Sequence, residues 1–235
     1  MIDQNLLKEQ AAAFGLALSD QMLRQLDTYA RLLADWNQRV NLTAITQPQE
    51  VAVKHFLDSL LLAAVTPLPQ GGSLVDVGTG AGFPGVPVKI FRPDIRLTLL
   101  DSLNKRLVFL ETLCTQLGLD ARRVHTRAEE AGRGALRESF DVATARAVAP
   151  LAQLCEYCLP LVRVGGRFVA LKGPEIQQEV QQAERAITLL GGKLLDVRHL
   201  ELPDGSGRSF VVIEKISQTL AKYPRQSAKI TKAPL

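Results

Sequence analysis

The chain reads as an α/β protein, with a helical N-terminal extension followed by a mostly parallel sheet covered by helices on both faces. Three observations carry that reading. Apolar residues recur at helical spacing up to about residue 65. After Gly72, short apolar runs alternate with helical stretches. The first such run ends in Leu74-Val75-Asp76-Val77-Gly78-Thr79-Gly80-Ala81-Gly82-Phe83-Pro84-Gly85, where an acid precedes three glycines at alternate positions. Glycine lets a backbone turn sharply and approach a ligand closely, because no Cβ intervenes. Pro84 suits the first turn of a helix, where its missing N–H costs nothing.

The elements follow in order. Leu6, Leu7, Ala11 and Phe14 suggest a short first helix. Ser19 is a plausible N-cap for a second, with Met22, Leu26, Tyr29, Leu33 and Trp36 as its stripe. Thr46-Gln47-Pro48-Gln49 has capping-box spacing, and Val53, Phe56, Leu57, Leu60 and Ala64 form a third stripe. Pro67, Pro69, Gly71 and Gly72 punctuate its end. Strands are then expected at Ser73–Val77, Leu97–Leu100, near Val124 and His125, at Phe140–Ala145 and at Arg167–Leu171. Between them lie helices at Phe83–Phe91, Lys105–Leu117, a turn at Ala128, and Leu151–Leu161. After Glu175–Leu190, a polar-faced helix, Lys193–Val197 and Phe210–Ile213 make a closing strand pair. The expected division is 1–68 for the extension, 69–216 for the sheet domain and 217–235 for a basic, poorly patterned C-terminal tail.

The 235 residues are 46% hydrophobic and 22% charged, ordinary for a protein with a full core. The net charge of +4 hints at an anionic partner. No apolar run reaches the ~18 residues of a membrane span. The start of the chain shows no secretory signal. Three cysteines make no disulfide framework, so a cytoplasmic protein is expected. Cys155 and Cys158 lie on an expected helix with no second pair or nearby histidine, which reads as core packing rather than a metal site.

In an open α/β sheet, ligands bind beyond the carboxyl ends of the strands. The residues there are the glycines after strand one, Asp101 after strand two, Thr126 to Glu130 after strand three, Arg146 after strand four, and Lys172 with Gly173 after strand five. Asp101 lies about 20 residues beyond the glycine turn, where a carboxylate accepts hydrogen bonds from ribose hydroxyls. Dinucleotides and S-adenosylmethionine both carry that ribose. Counted from Gly78, the glycine pattern fails GxGxxG because Phe83 fills the last place. Counted from Gly80 it fits, but Pro84 removes an N–H that a pyrophosphate needs. S-adenosylmethionine is therefore the favoured ligand.

The segments Asp76–Gly85 and Leu99-Leu100-Asp101-Ser102-Leu103-Asn104-Lys105-Arg106 resemble the bacterial 16S rRNA guanine-N7 methyltransferases, also called glucose-inhibited division protein B. So do Arg127-Ala128-Glu129-Glu130, Ala145-Arg146-Ala147, Leu171-Lys172-Gly173, Trp36-Asn37 with Asn41-Leu42-Thr43, and His55-Phe56-Leu57-Asp58-Ser59. The resemblance runs from about residue 30 to 215. It implies a class I, Rossmann-like methyltransferase fold with a seven-stranded sheet. It implies S-adenosylmethionine contacts at Gly78, Phe83, Ala128, Glu129 and Arg146. Gly80 and Asp101 join them on the residue argument above. It implies methyl transfer to N7 of guanosine 527 in the 530 loop of 16S rRNA. The partner is then 16S rRNA, free or within a small-subunit particle, with no membrane and a monomer favoured.

Guanine N7 carries an in-plane lone pair and needs no deprotonation, so no general base is expected and positioning should dominate. No Asn-Pro-Pro-Tyr or Asp-Pro-Pro-Tyr follows strand four, and no Pro-Cys pair offers a nucleophile. Arg127, Arg146 and Lys172 are assigned to the RNA, and Lys105 to phosphate contact. The structural alternative makes Arg127 and Arg146 ion-pair partners of Glu129, Glu130 or Asp101.

Overall fold

The computed structural model describes residues 1–146 and 149–235. Ala147, part of one motif above, lies outside them. Helices α1 (Gln4–Ala13) and α2 (Asp20–Asn37) open the chain. Ser19 caps α2 by accepting from Met22 N, as expected. The Thr46 capping box is not made. The cap of α3 (Pro48–Glu50) is Gln47, which makes no side-chain bond, and Pro48 takes the first helical position. A π-helical stretch, Val51–Leu57, then runs into α4 (Asp58–Val65). No sequence signal marked that wider turn.

The sheet has seven strands: β1 (Ser73–Val77), β2 (Arg96–Asp101), β3 (Ala121–His125), β4 (Phe140–Arg146), β5 (Val162–Lys172), β6 (Gly192–Glu201) and β7 (Gly207–Lys215). Their order is β3-β2-β1-β4-β5-β7-β6, the first five parallel and β7 antiparallel to both neighbours. The intervening helices are α5 (Gly85–Phe91), α6 (Asn104–Leu117), α7 (Ala128–Ala131), α8 (Leu151–Cys158) and α9 (Gln177–Leu189). One 3-10 turn, Leu159–Leu161, completes the helical stretch after α8. Two apolar clusters form the core. The one containing α1, α2 and α4 covers one set of sheet residues, and the one containing α8 and α9 covers the other. Cys155 and Cys158 are fully buried in the second, where burial pushes both thiols up and leaves them unreactive.

β6 and β7 are longer than expected. Exposed polar residues along β6 break the apolar run that marks a buried strand, yet the hairpin pairs Gly192 with Lys215 and Glu201 with Gly207. Residues 217–235 are not a solvated tail. Tyr223 is buried, Ile230 is fully buried, and a tenth helix, α10 (Ser227–Lys232), packs on α8. The charge that made this segment look solvated is partly internal: Arg225 makes a bidentate pair with the fully buried Glu156, Nε to Oε1 and Nη2 to Oε2.

The parallel register aligns the carboxyl ends. Val77 pairs with Leu100, Asp101 with His125, and Arg146 with Leu171, so the following residues share one rim. There the β1–α5 turn uses its glycines as the sequence demands. Gly78, Gly80 and Gly82 have φ of 68°, 60° and 100°. A Cβ on Gly82 would stand 2.7 Å from Tyr29 Oη and 2.9 Å from side-chain atoms of Leu110 and Val86. Gly82→Ala should therefore cost about 2–4 kcal/mol of unfolding free energy in urea titrations, through strain and overpacking together. Gly118→Ala is the control. Its φ is +65° with nothing within 4 Å, so only the left-handed backbone penalty of about 1–2 kcal/mol applies.

Candidate active site

The rim encloses one cavity of about 720 Å³. Its walls include Gly78, Gly80, Phe83, Asp101, Arg127, Ala128, Glu129 and Arg146, all singled out from the sequence. Lys105 is exposed and outside it. Lys172 faces a second cavity, of about 520 Å³, lined also by His55, Asp58, Arg146 and Arg208. His55 and Arg146 line both cavities and so form part of the partition between them.

Asp76 shapes the glycine turn from beneath. Its Oδ2 accepts from Thr79 Oγ1 at 2.7 Å and from Gly85 N at 2.9 Å, closing both ends of the loop on one carboxyl. Full burial pushes this acid up to about 6, against the pull of those two donors. Its Oδ1 is buried without a partner among the described residues. The turn is held from outside by Tyr29, whose hydroxyl donates to Ala81 O at 2.5 Å.

Asp101 is 2% exposed. Its Oδ2 accepts from Gly80 N at 2.9 Å and Arg106 Nη1 at 3.3 Å, and its Oδ1 from Leu103 N at 2.9 Å. A carboxylate has about four acceptor sites, so capacity remains on the cavity side. The longer Arg106 contact, from a side chain one-third exposed, is the exchangeable one.

Phe83 sits at the centre of a stack. Its ring lies 5.1 Å from Tyr29 at an interplanar angle of 5°, and 4.4 Å from the His55 ring at 17°. The Arg146 guanidinium carbon is 4.9 Å from its centroid. Arg146 also donates to Asp58 Oδ2 at 3.1 Å, Lys54 O at 3.2 Å and His55 Nδ1 at 3.1 Å. Asp58 binds Arg208 through Oδ1 at 3.0 Å. Burial raises the Asp58 carboxyl, and the two guanidiniums pull it back. The ion partner of Arg146 is thus Asp58, not Glu129, Glu130 or Asp101 as the alternative reading held. Arg127 is exposed on the rim. Lys172 is 10% exposed and bound to Glu179 at 2.7 Å and Ala149 O at 3.0 Å, so its charge is already matched.

Guanidinium is a pure donor, so His55 Nδ1 must accept and its proton sits on Nε2. That proton points to Thr43 Oγ1 at 2.8 Å. Burial, then the Arg146 charge, pushes His55 down to about 3. Both nitrogens of the His55 ring are thus engaged within the chain.

Sequence reasoning missed Asp58, Arg208 and Tyr29. Asp58 had a usable signal, because it lies three residues after His55 on one helical run. Arg208 had none, being 150 residues from its partner. Also unforeseen as lining residues were Gln153, Tyr157, Ser227 and Thr231.

The cavity volume suits a nucleoside-sized ligand. The donor set suits S-adenosylmethionine: a backbone turn of glycines, a ribose-side acid, apolar walls at Val77, Leu100 and Ala128, and an orphaned carboxyl oxygen under the turn. A Rossmann-like sheet carrying this rim defines an S-adenosylmethionine-dependent methyltransferase. The family model described as "GidB: rRNA small subunit methyltransferase G" matches residues 22–208. A ribosomal RNA small subunit methyltransferase G of Alkaliphilus metalliredigens is 48% identical over the full length of both chains. One of Staphylococcus saprophyticus is 46% identical over 97% of each. Among solved structures, TrmN from Thermus thermophilus superposes with a TM-score of 0.53 at 22% identity, over 68% of this chain and 48% of that one. TYW2 of M. jannaschii in complex with AdoMet gives 0.53 at 12% identity, over 64% and 72%. These two show the shared fold. The chain belongs to the rRNA small subunit methyltransferase G family. It is an rRNA methyltransferase that uses S-adenosylmethionine.

The neutral His55 makes stability depend on pH. Its folded value lies near 3 and its unfolded value near 6.5, so the unfolded chain binds the extra proton between them. Its contribution is complete above pH 6.5 and is lost as pH falls, by about 1.4 kcal/mol per unit. Asp76 acts oppositely, since its raised value favours the folded chain at low pH and that gain is lost as pH rises through about 6. Comparing parent with His55→Gln in urea titrations cancels Asp76. The parent should lose about 1.6 kcal/mol relative to the variant between pH 6.5 and pH 5.

Proposed function

We propose that this enzyme methylates N7 of guanosine 527 in 16S rRNA, acting as a monomer on the rRNA or on a small-subunit particle. The observation that carries the reading is the partition built by His55 and Arg146 between two cavities. One takes the cofactor, and the target base enters from the other. Family membership supports rRNA as the substrate. The engaged ring of His55 supports N7, because that atom needs no base. No helix among the described residues is long and apolar enough to cross a membrane.

When bound, S-adenosylmethionine supplies a sulfonium methyl to a nucleophile that is already unprotonated. In this reading Gly78, Gly80 and Phe83 form the floor for it, Asp101 takes the ribose hydroxyls, and Ala128 with Glu129 border the base. Arg146 borders both ligands. Its charge opposes a cationic product at N7, so its donors serve guanine O6 or a phosphate. Phe83 and Asp58 hold the guanidinium fixed, which is the positioning that this reaction requires. Lys172 borders the second cavity as a matched charge that orders its wall, while Arg127 and Lys105 lie exposed for phosphate contact.

Small subunits and free 16S rRNA from cells lacking this gene are the substrates to test, with mass spectrometry of nuclease digests. One 7-methylguanosine at position 527 is expected. A methyl group on another atom or nucleotide overturns the proposal. Arg146→Ala should lower kcat on the order of 10²-fold while the chain still folds.

Phosphate contacts release counterions, so RNA affinity should weaken with salt. Each contact contributes a log–log slope of about −0.7 on single strands. Replacing Lys105 and Arg127 together by alanine should therefore make the slope shallower by about 1.4 in filter-binding titrations. An unchanged slope removes both from the RNA surface.

A further inference from the structure

β7 runs antiparallel to β5, pairing Lys172 with Ser209 and Arg167 with Glu214. The chain therefore leaves the sheet at the end of the strands opposite the cavity. It then returns to the rim along a line of anchors. Thr219 N donates to Glu138 Oε1 at 2.7 Å. The Arg137 guanidinium donates to the carbonyls of Thr219 and Tyr223. Arg133 Nε donates to Pro224 O at 2.8 Å. Arg225 binds Glu156 of α8 through its backbone N, Nε and Nη2. Fully buried Ile230 then seats α10. The family model stops at residue 208, while the full-length relatives align across this segment as well.

A solvated tail would not be fastened at so many points, and the fastening has a result. It holds Ser227 and Thr231, one helical turn apart on the same face, against the cavity beside Gln153 and Tyr157 of α8. Lys229 and Lys232 are exposed and do not line it. Asp101 at the end of β2 marks the ribose position. In the proposed assignment the base lies by Ala128 and Glu129 of α7, which packs on α8. Adenine presents both an amino donor and ring acceptors, and hydroxyl groups serve either need.

We infer that α10 is a wall of the cofactor pocket, with Ser227 and Thr231 binding the adenosine half of the ligand. This rests on the assignment of the cavity to S-adenosylmethionine. The C-terminal segment is thus part of the binding site, with its anchors acting as positioning residues.

Calorimetry with S-adenosylhomocysteine and with adenosine tests it. Ser227→Ala combined with Thr231→Ala should weaken both ligands about five- to tenfold, the size of two modest hydrogen bonds. Thr231→Trp, a change at an exposed position, should weaken them at least as much by filling the pocket. Amides of residues 226–232 should exchange more slowly with deuterium when the ligand is bound. Affinities within twofold of the parent in both variants overturn the inference. So does weaker RNA binding with ligand affinity unchanged, which would make α10 an RNA contact only. Asp101→Ala separates the two levels of the argument. If it too leaves ligand affinity intact, the cavity assignment itself falls. If it alone weakens binding, only the role of α10 falls.

Discussion

The site depends on the ring of Phe83. It lies within the glycine turn, yet the groups stacked on it come from α2, from the π-helical stretch and from the end of β4. Aromatic pairs of this kind contribute about 0.5–1.5 kcal/mol each beyond burial. Their larger effect is geometric, because one ring fixes the separation of three chain segments. The Arg146 guanidinium over that ring carries a charge that must be matched where it is largely buried. Asp58 matches it and is itself nearly inaccessible, so it needs Arg208 as well. Phe83, Arg146, Asp58 and Arg208 are therefore one unit. Removing any one leaves a buried charge or a loose ring at the boundary of both cavities.

The same unit bears on the proposal that the reaction needs no general base. A histidine lining both cavities would ordinarily be a candidate base. Here the guanidinium occupies its acceptor nitrogen, and Thr43 takes its only proton. Asp58 is committed to two arginines, and Asp76 to the glycine turn. His55 and Asp58 thus spend their hydrogen bonds on position, while Asp76 Oδ1 is left without a partner among the described residues. That arrangement suits a nucleophile that arrives with its lone pair free, and it would serve poorly for an exocyclic amine that must lose a proton.

What the sequence revealed divides along a physical line. Strands β1, β2, β4 and β5 are covered on both faces, so they appear as continuous apolar runs and were legible. The glycine turn was legible because φ between 60° and 100° at alternate positions excludes most other residues. Edge strand β6 was underestimated, since its outward residues carry no apolar signal. The partners of the charged residues were not legible at all. Arg146 and Asp58 are 88 residues apart, and Arg225 and Glu156 are 69 apart. No periodicity connects such pairs. Only the register of the sheet and the return of the C-terminal segment bring them together. Hence the residue types at the rim could be listed in advance, while their pairing could not.

This division explains why the C-terminal segment was the least readable part and yet adjoins the site. The sheet alone presents a rim open on two sides. Residues 43 and 55 close one side from the N-terminal region, and residues 227 and 231 line the other from the C-terminal helix. A ligand held between such parts binds only when all are docked, so its binding energy adds to the stability of their docking. On the cavity assignment proposed above, the docking of these parts and the affinity for S-adenosylmethionine are linked, so that loosening either would weaken both.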